Sequence, residues 1–99
     1  MKQVFISYSR KDIAFVKSLA NDLKKFGLLV WWDVAGIPPG GEWPKRIQAG
    51  LQNSDCCVVV LSPDSVESGW VRKEYTFALG TGKTIIPLYY RPCDVPLAL

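Results

Sequence analysis

Cys57-Val58-Val59-Val60-Leu61, residues 57–61, is an unbroken apolar run that follows Asp55 and is stopped by Ser62-Pro63-Asp64. It reads as a β-strand. A strand with one wet face alternates apolar and polar residues. This one does not, so it belongs to a parallel sheet covered on both faces. Cys56, immediately before this run, and Cys57 are neighbours in the strand and therefore point to opposite faces.

Working outward, helical patterns flank the run on both sides. Upstream, Trp43, Ile47 and Leu51 recur at a spacing of four. Downstream, a helix is expected from about Ser68 to Leu79, with Ser68 as its N-cap and Gly80-Thr81-Gly82 closing it. Thr84 to Tyr90 reads as the last strand. Its Pro87 lacks a ladder donor, which suits an edge or a bulge. Nearer the N-terminus, Leu28-Leu29-Val30-Trp31-Trp32 and Val4-Phe5-Ile6 are two more apolar runs. Between them Ile13, Val16, Leu19, Ala20 and Leu23 mark one apolar helical face, stopped at Gly27.

The order is βαβαβαβ. Right-handed crossovers between such strands give a flavodoxin-like α/β fold, a doubly wound parallel sheet with strand order 2-1-3-4. Ligands of such sheets bind beyond the carboxyl ends of the strands, near the switch between the first and third. The segments there are Ser7 to Asp12, Asp33 to Trp43, Ser62 to Trp70, and Tyr90 onward. Asp33 to Trp43, with three Gly and two Pro, reads as a long loop.

Composition narrows the chemistry. Ninety-nine residues, 48% of them hydrophobic, make one domain with a real core. The net charge of +3 is spread over pairs such as Lys24-Lys25, Lys45-Arg46 and Arg72-Lys73, which speaks for a solvated surface and against nucleic acid. Histidine is absent, which removes Ser-His-Asp and Cys-His catalysis and every His-based metal site; no metal is expected. Three cysteines without a C-x-x-C read as reduced, small apolar residues. No run reaches the ~18 apolar residues of a membrane helix, and no cleavable leader is visible. The expectation is a soluble, cytoplasmic protein with no membrane partner. Gly80-Thr81-Gly82-Lys83-Thr84 precedes a strand and not a helix, so it is no phosphate cradle. No acidic pair follows the first strand to hold Mg²⁺ in the manner of a response-regulator receiver.

Four segments, in order, carry a resemblance. Val4-Phe5-Ile6-Ser7-Tyr8-Ser9 with Asp12 resembles the first box of Toll/interleukin receptor (TIR) domains. Ile37-Pro38-Pro39-Gly40, after Asp33, is similar to the BB loop of that family. Leu61-Ser62-Pro63 and Ser68-Gly69-Trp70-Val71-Arg72-Lys73-Glu74 resemble the approach to, and the start of, the helix bearing the catalytic glutamate. The match runs from the first residue to about Pro92. The family usually adds a fifth strand and a final helix, so residues 1–99 are expected to be the N-terminal four-fifths or so of a TIR domain, either a fragment of a longer protein or completed by elements that come from elsewhere.

The resemblance implies an NAD⁺ glycohydrolase that cleaves the bond between nicotinamide and ribose, with NAD⁺ as substrate and no cofactor. Glu74 is the matching glutamate. Trp70, four residues earlier, shares its helical face and could stack on a planar base. Ser7 and Arg10 are candidates for phosphate or ribose contacts; an ordinary polar loop explains them equally well. Trp43 either borders the pocket or anchors its helix, and Asp33 either meets substrate or caps the loop. Ser62 and Asp64 either bind a ligand or make a turn. Trp31 and Trp32 read as structural. The loop residues Gly36, Ile37, Pro38, Pro39, Gly40 and Gly41 are the expected surface for TIR–TIR self-association, head to tail, in signalling or defence. A fused or separate sensor domain would then supply the trigger. The alternative is a TIR scaffold that recruits other TIR domains and does no chemistry.

Overall fold

The structure, a computed structural model, describes residues 2–32 and 45–99. Strand β1 (Gln3–Ser7) leads through a 3-10 turn (Arg10–Asp12) into helix α1 (Ile13–Lys25). Then follow β2 (Leu29–Trp31), α2 (Lys45–Gln52), β3 (Cys56–Leu61), α3 (Pro63–Glu67), α4 (Gly69–Gly80) and β4 (Thr84–Tyr89). Every pairing is parallel and the strand order is β2-β1-β3-β4, as the apolar runs imply. The expected loop Asp33, Gly36, Ile37, Pro38, Pro39, Gly40, Gly41 and Trp43 lies outside the described residues.

Alternation along the strands splits the core into two layers. Phe5, Cys57, Val59 and Leu61 face one way, against Ile47 and Leu51 of α2 and Val71, Tyr75 and Ala78 of α4. Val4, Ile6, Val58 and Val60 face the other way, against Val16 and Ala20 of α1. Each fully buried aliphatic or Phe side chain contributes about 1.5–3 kcal/mol. This two-sided burial is why β3 tolerates no polar residue within Cys57–Leu61. Cys56 and Cys57 fall on opposite layers, and all three cysteines are free thiols.

The helix ends follow local chemistry. After α1, Gly27 takes φ +85°; its N–H bonds Lys24 O at 3.0 Å while Leu28 N–H bonds Leu23 O at 3.3 Å. This is a Schellman end, which needs the left-handed residue that glycine supplies without strain. Gly82 (φ +74°) repeats it after α4, with Lys83 N–H on Ala78 O at 2.9 Å. Gly50 matters for another reason. A Cβ there would stand within 2.7 Å of Trp31 Cδ2 and Nε1, so the indole lies directly on the α2 backbone. On its other side Trp31 stacks on Phe5, with centroids 4.9 Å apart.

Two elements differ from the expectation. Ser62-Pro63-Asp64 does stop β3, but the chain goes straight into α3 instead of a turn. Ser62 caps it, accepting from Ser65 N at 3.1 Å, while Ser65 Oγ accepts from Ser62 N at 2.8 Å. Pro63 suits the first helical position, where no donor is needed. The second strand is also shorter than Leu28–Trp32, pairing only over Leu29–Trp31. At the opposite edge, Tyr90 N–H bonds Leu61 O. By the alternation of a parallel ladder, Leu88 and Ile86 then also aim at β3. Pro87 therefore aims its missing donor at the open side, so the β3–β4 ladder loses nothing.

Candidate active site

Ser7 is the last residue of β1, level with Val59 of β3 in the centre of the sheet. It is fully buried, at 0% exposure. Helix α4 begins just beyond, where Ser68 Oγ accepts from Val71 N at 3.3 Å as the expected N-cap. From the second turn of α4, Glu74 reaches back to β1, and Ser7 Oγ donates to its Oε1 at 2.7 Å. Glu74 is only 6% exposed, because α4 lies flat on the sheet and positions 71, 74, 75 and 78 all face inward.

The charge of Glu74 is felt by Cys57 in the same layer. Burial first, and then the nearby Glu74 carboxylate, push the Cys57 thiol far above its ordinary value, so it stays neutral and unreactive. Trp70 sits four residues before Glu74 and is half-buried against the same core layer. Lys73 Nζ stands 5.1 Å from the centroid of its ring, a cation–π contact that holds the indole in place. The structure thus brings Ser7 and Glu74 together on the α4 side of the sheet's carboxyl end, with Trp70 one helical turn before Glu74 on α4. Arg10 is exposed on the 3-10 turn that follows β1.

A second polar cluster stands at the same end of the sheet. Asp12 is 3% exposed. It accepts from Ser62 Oγ on one oxygen and from Arg91 Nη2 on the other, the latter at 2.7 Å. Arg91 Nη2 also donates to Asp64 Oδ2 at 2.8 Å, and Lys11 stands 3.5 Å from Asp64 Oδ1. The Arg91 hydrogen bond is the main cause that holds the Asp64 carboxyl below its ordinary value. Buried, Asp12 is tolerable only because a guanidinium and a hydroxyl satisfy it. Sequence reasoning gave Asp12 and Arg91 no site role. Asp12 carried a signal, its place in the first quoted motif; Arg91, 79 residues away, carried none. Ser62 both caps α3 and joins this network, and Asp64, in the first turn of α3, joins it through Arg91. Among the described residues no group of three or more Cys, Asp or Glu is placed to hold a metal ion. Among the described residues no helix is long and apolar enough to cross a membrane.

With this geometry in hand, comparison with known proteins is specific. The family model described as TIR domain matches residues 4–99. The 2′ cyclic ADP-D-ribose synthase AbTIR of Acinetobacter baumannii is 31% identical over 93 residues, 89% of this chain and 35% of that protein. The NAD(+) hydrolase PdTIR of Paracoccus denitrificans is 34% identical over 93 residues, 89% of this chain and 31% of that protein. The chain therefore spans about a third of the length of these relatives. Among solved structures, the TIR domain of the Toll-related receptor TRR-2 from Hydra magnipapillata superposes with a TM-score of 0.80 at 29% identity, covering 96% of this chain and 75% of that one.

Proposed function

The chain belongs to the TIR domain family, and from that premise we propose that it forms the catalytic part of an NAD⁺-cleaving enzyme. The observation that carries this reading is the buried Ser7–Glu74 hydrogen bond of 2.7 Å at the carboxyl end of a parallel sheet. Relatives named NAD(+) hydrolase and cyclic ADP-ribose synthase support it.

The chemistry suits a site without histidine. The bond from the ribose carbon to the pyridinium nitrogen breaks with both electrons going to nitrogen, so nicotinamide leaves neutral and needs no general acid. The ribose carbon acquires oxocarbenium character. Glu74 supplies a fixed negative charge beside it, and a preorganised charge is most effective where water is excluded. Ser7 holds that carboxylate in one orientation through its hydroxyl. Water then adds to the ribose carbon and gives up a proton to solvent, yielding ADP-ribose. Attack from within the ADP-ribose portion yields a cyclic product instead. Trp70 offers a planar surface for a base, and Arg10 a cation for phosphate. In this reading Asp33 and Trp43 border the pocket.

The low exposure of Glu74 supports a protein that is idle alone and opens when copies assemble through residues 36–41. Free thiols at Cys56, Cys57 and Cys93 support a reducing, cytoplasmic setting. There a sensor, fused or separate, would trigger it in signalling or defence. The same burial of Glu74 also favours the competing reading, a scaffold that does no chemistry. NAD⁺ consumption by the full-length protein, as a function of its concentration, separates the two. Turnover that rises with assembly and vanishes in Glu74→Gln supports the enzyme; no turnover in the assembled wild type leaves the scaffold.

A further inference from the structure

Asp12 occupies the N-cap position of α1, yet its side chain makes no capping bond. Aspartate is among the best capping residues, so a carboxylate turned away from that work is held elsewhere. Its two oxygens go to Ser62 and Arg91. Arg91 in turn is firmly placed. Its backbone N–H bonds Leu61 O at 3.2 Å, and its guanidinium lies 5.6 Å from the Tyr90 ring. Tyr90 itself stacks on Phe15 of α1, with centroids 3.9 Å apart and planes within 12°.

The connection from β1 to α1 is consequently pinned at both ends. At one end, Ser7 is held by its place in the sheet and by its bond to Glu74. At the other, Asp12 is held by Arg91 and Ser62 while its N–H closes the turn on Ser9 O at 2.8 Å. Arg10 lies between the two pins. We propose that Arg91 is a positioning residue, which locks this connection and so presents Arg10 in fixed register with the Ser7–Glu74 pair. The assignment rests on the NAD⁺-cleaving reading above, with Arg10 as the phosphate contact. Arg91 touches no substrate in this scheme; it acts through Asp12.

The consequence is a split between binding and turnover. Losing the lock lets residues 9–12 move, which weakens the Arg10–phosphate contact but leaves Glu74 held by α4, Ser7 by β1 and Tyr8 by its packing beside Trp32. In the full-length protein, Arg91→Met should raise KM for NAD⁺ about tenfold, the scale of one charge-assisted hydrogen bond, with kcat within about twofold. In an Arg10→Gln background the same change should add less than about twofold to KM, because the contact it positions is already gone. Should Arg91→Met fail to fold, the double variant D12N/R91M removes the stranded buried charge and still lacks the lock. A fall in kcat at unchanged KM, or a KM rise that persists undiminished in the Arg10→Gln background, overturns the proposal. If the wild type never consumes NAD⁺, the enzymatic reading falls by itself. Amide exchange then decides on the lock: about tenfold faster exchange confined to residues 9–13 in Arg91→Met upholds it. Unchanged exchange there overturns it.

Discussion

Replacing Glu74 by Gln exchanges one carboxylate oxygen for an amide group at a position only 6% exposed. Two opposing effects fix the stability change. Ser7 Oγ can still donate to the remaining carbonyl oxygen, but the bond of 2.7 Å changes from charge-assisted to neutral. That loss is about 1 kcal/mol, given about 1.5–3 kcal/mol for a hydrogen bond to a charge and about 1 for a neutral one. Against it, a buried charge no longer has to be desolvated, which returns a comparable amount. The net change is within about 1 kcal/mol, a shift of roughly 4–8 °C at most in a domain of this size. Catalysis has no such compensation. The charge that faces the oxocarbenium is gone, and removing a preorganised electrostatic group costs about 3–4 kcal/mol, a hundredfold or more in rate. The assay is nicotinamide release by assembled full-length protein, alongside thermal melts of both forms. A variant that melts near wild type and turns over at an unaltered rate refutes the role given to Glu74. A variant that melts far lower refutes the compensation argument, because Ser7 then depends on the charge itself.

Other perturbations test separate parts of the structure. Trp70→Ala removes a half-buried ring that packs on the core and lies under Lys73, so it should cost about 2 kcal/mol in denaturant unfolding; in turnover assays KM should rise more than kcat falls. Gly50→Ala drives a methyl into the Trp31 indole, which Phe5 backs from the other side, and should destabilise by about 1–3 kcal/mol; a melting temperature equal to wild type would show that Trp31 is free to move. Burial and the Glu74 charge raise the folded-state pKa of Cys57 above its ordinary 9.0. Below pH 9 the thiol is neutral whether folded or not; above it only the unfolded chain ionises, so stability falls as pH rises. The stability advantage of wild type over Cys57→Ala should therefore shrink between about pH 8.5 and 10.5 in denaturant melts. An advantage constant with pH would mean that the thiol ionises in place.

Much of this protein is written locally. The two central strands announce themselves as apolar runs because burial on both faces leaves no position for a polar side chain in residues 4–6 and 57–61, and the helices between the strands show spacings of three and four. Gly27 and Gly82 mark helix ends by their own backbone freedom. Trp70 and Glu74 can be placed on one face of α4 by counting, since helical geometry depends only on the residues within a turn. Strand order follows as well, because parallel strands and right-handed crossovers leave few choices. What could not be read locally depends on groups brought together by the crossovers. Glu74 looks like an exposed helical glutamate until α4 is laid on β1 and β3, where Ser7 meets it from 67 residues away. α3 was hidden because a Ser-Pro-Asp stretch starts a short helix as readily as a turn, and the capping bonds between Ser62 and Ser65 decide between them. Arg91 carries no pattern of its own. Its role exists only because the end of β4 comes to rest beside the start of α1, where the buried carboxylate of Asp12 requires a positive charge.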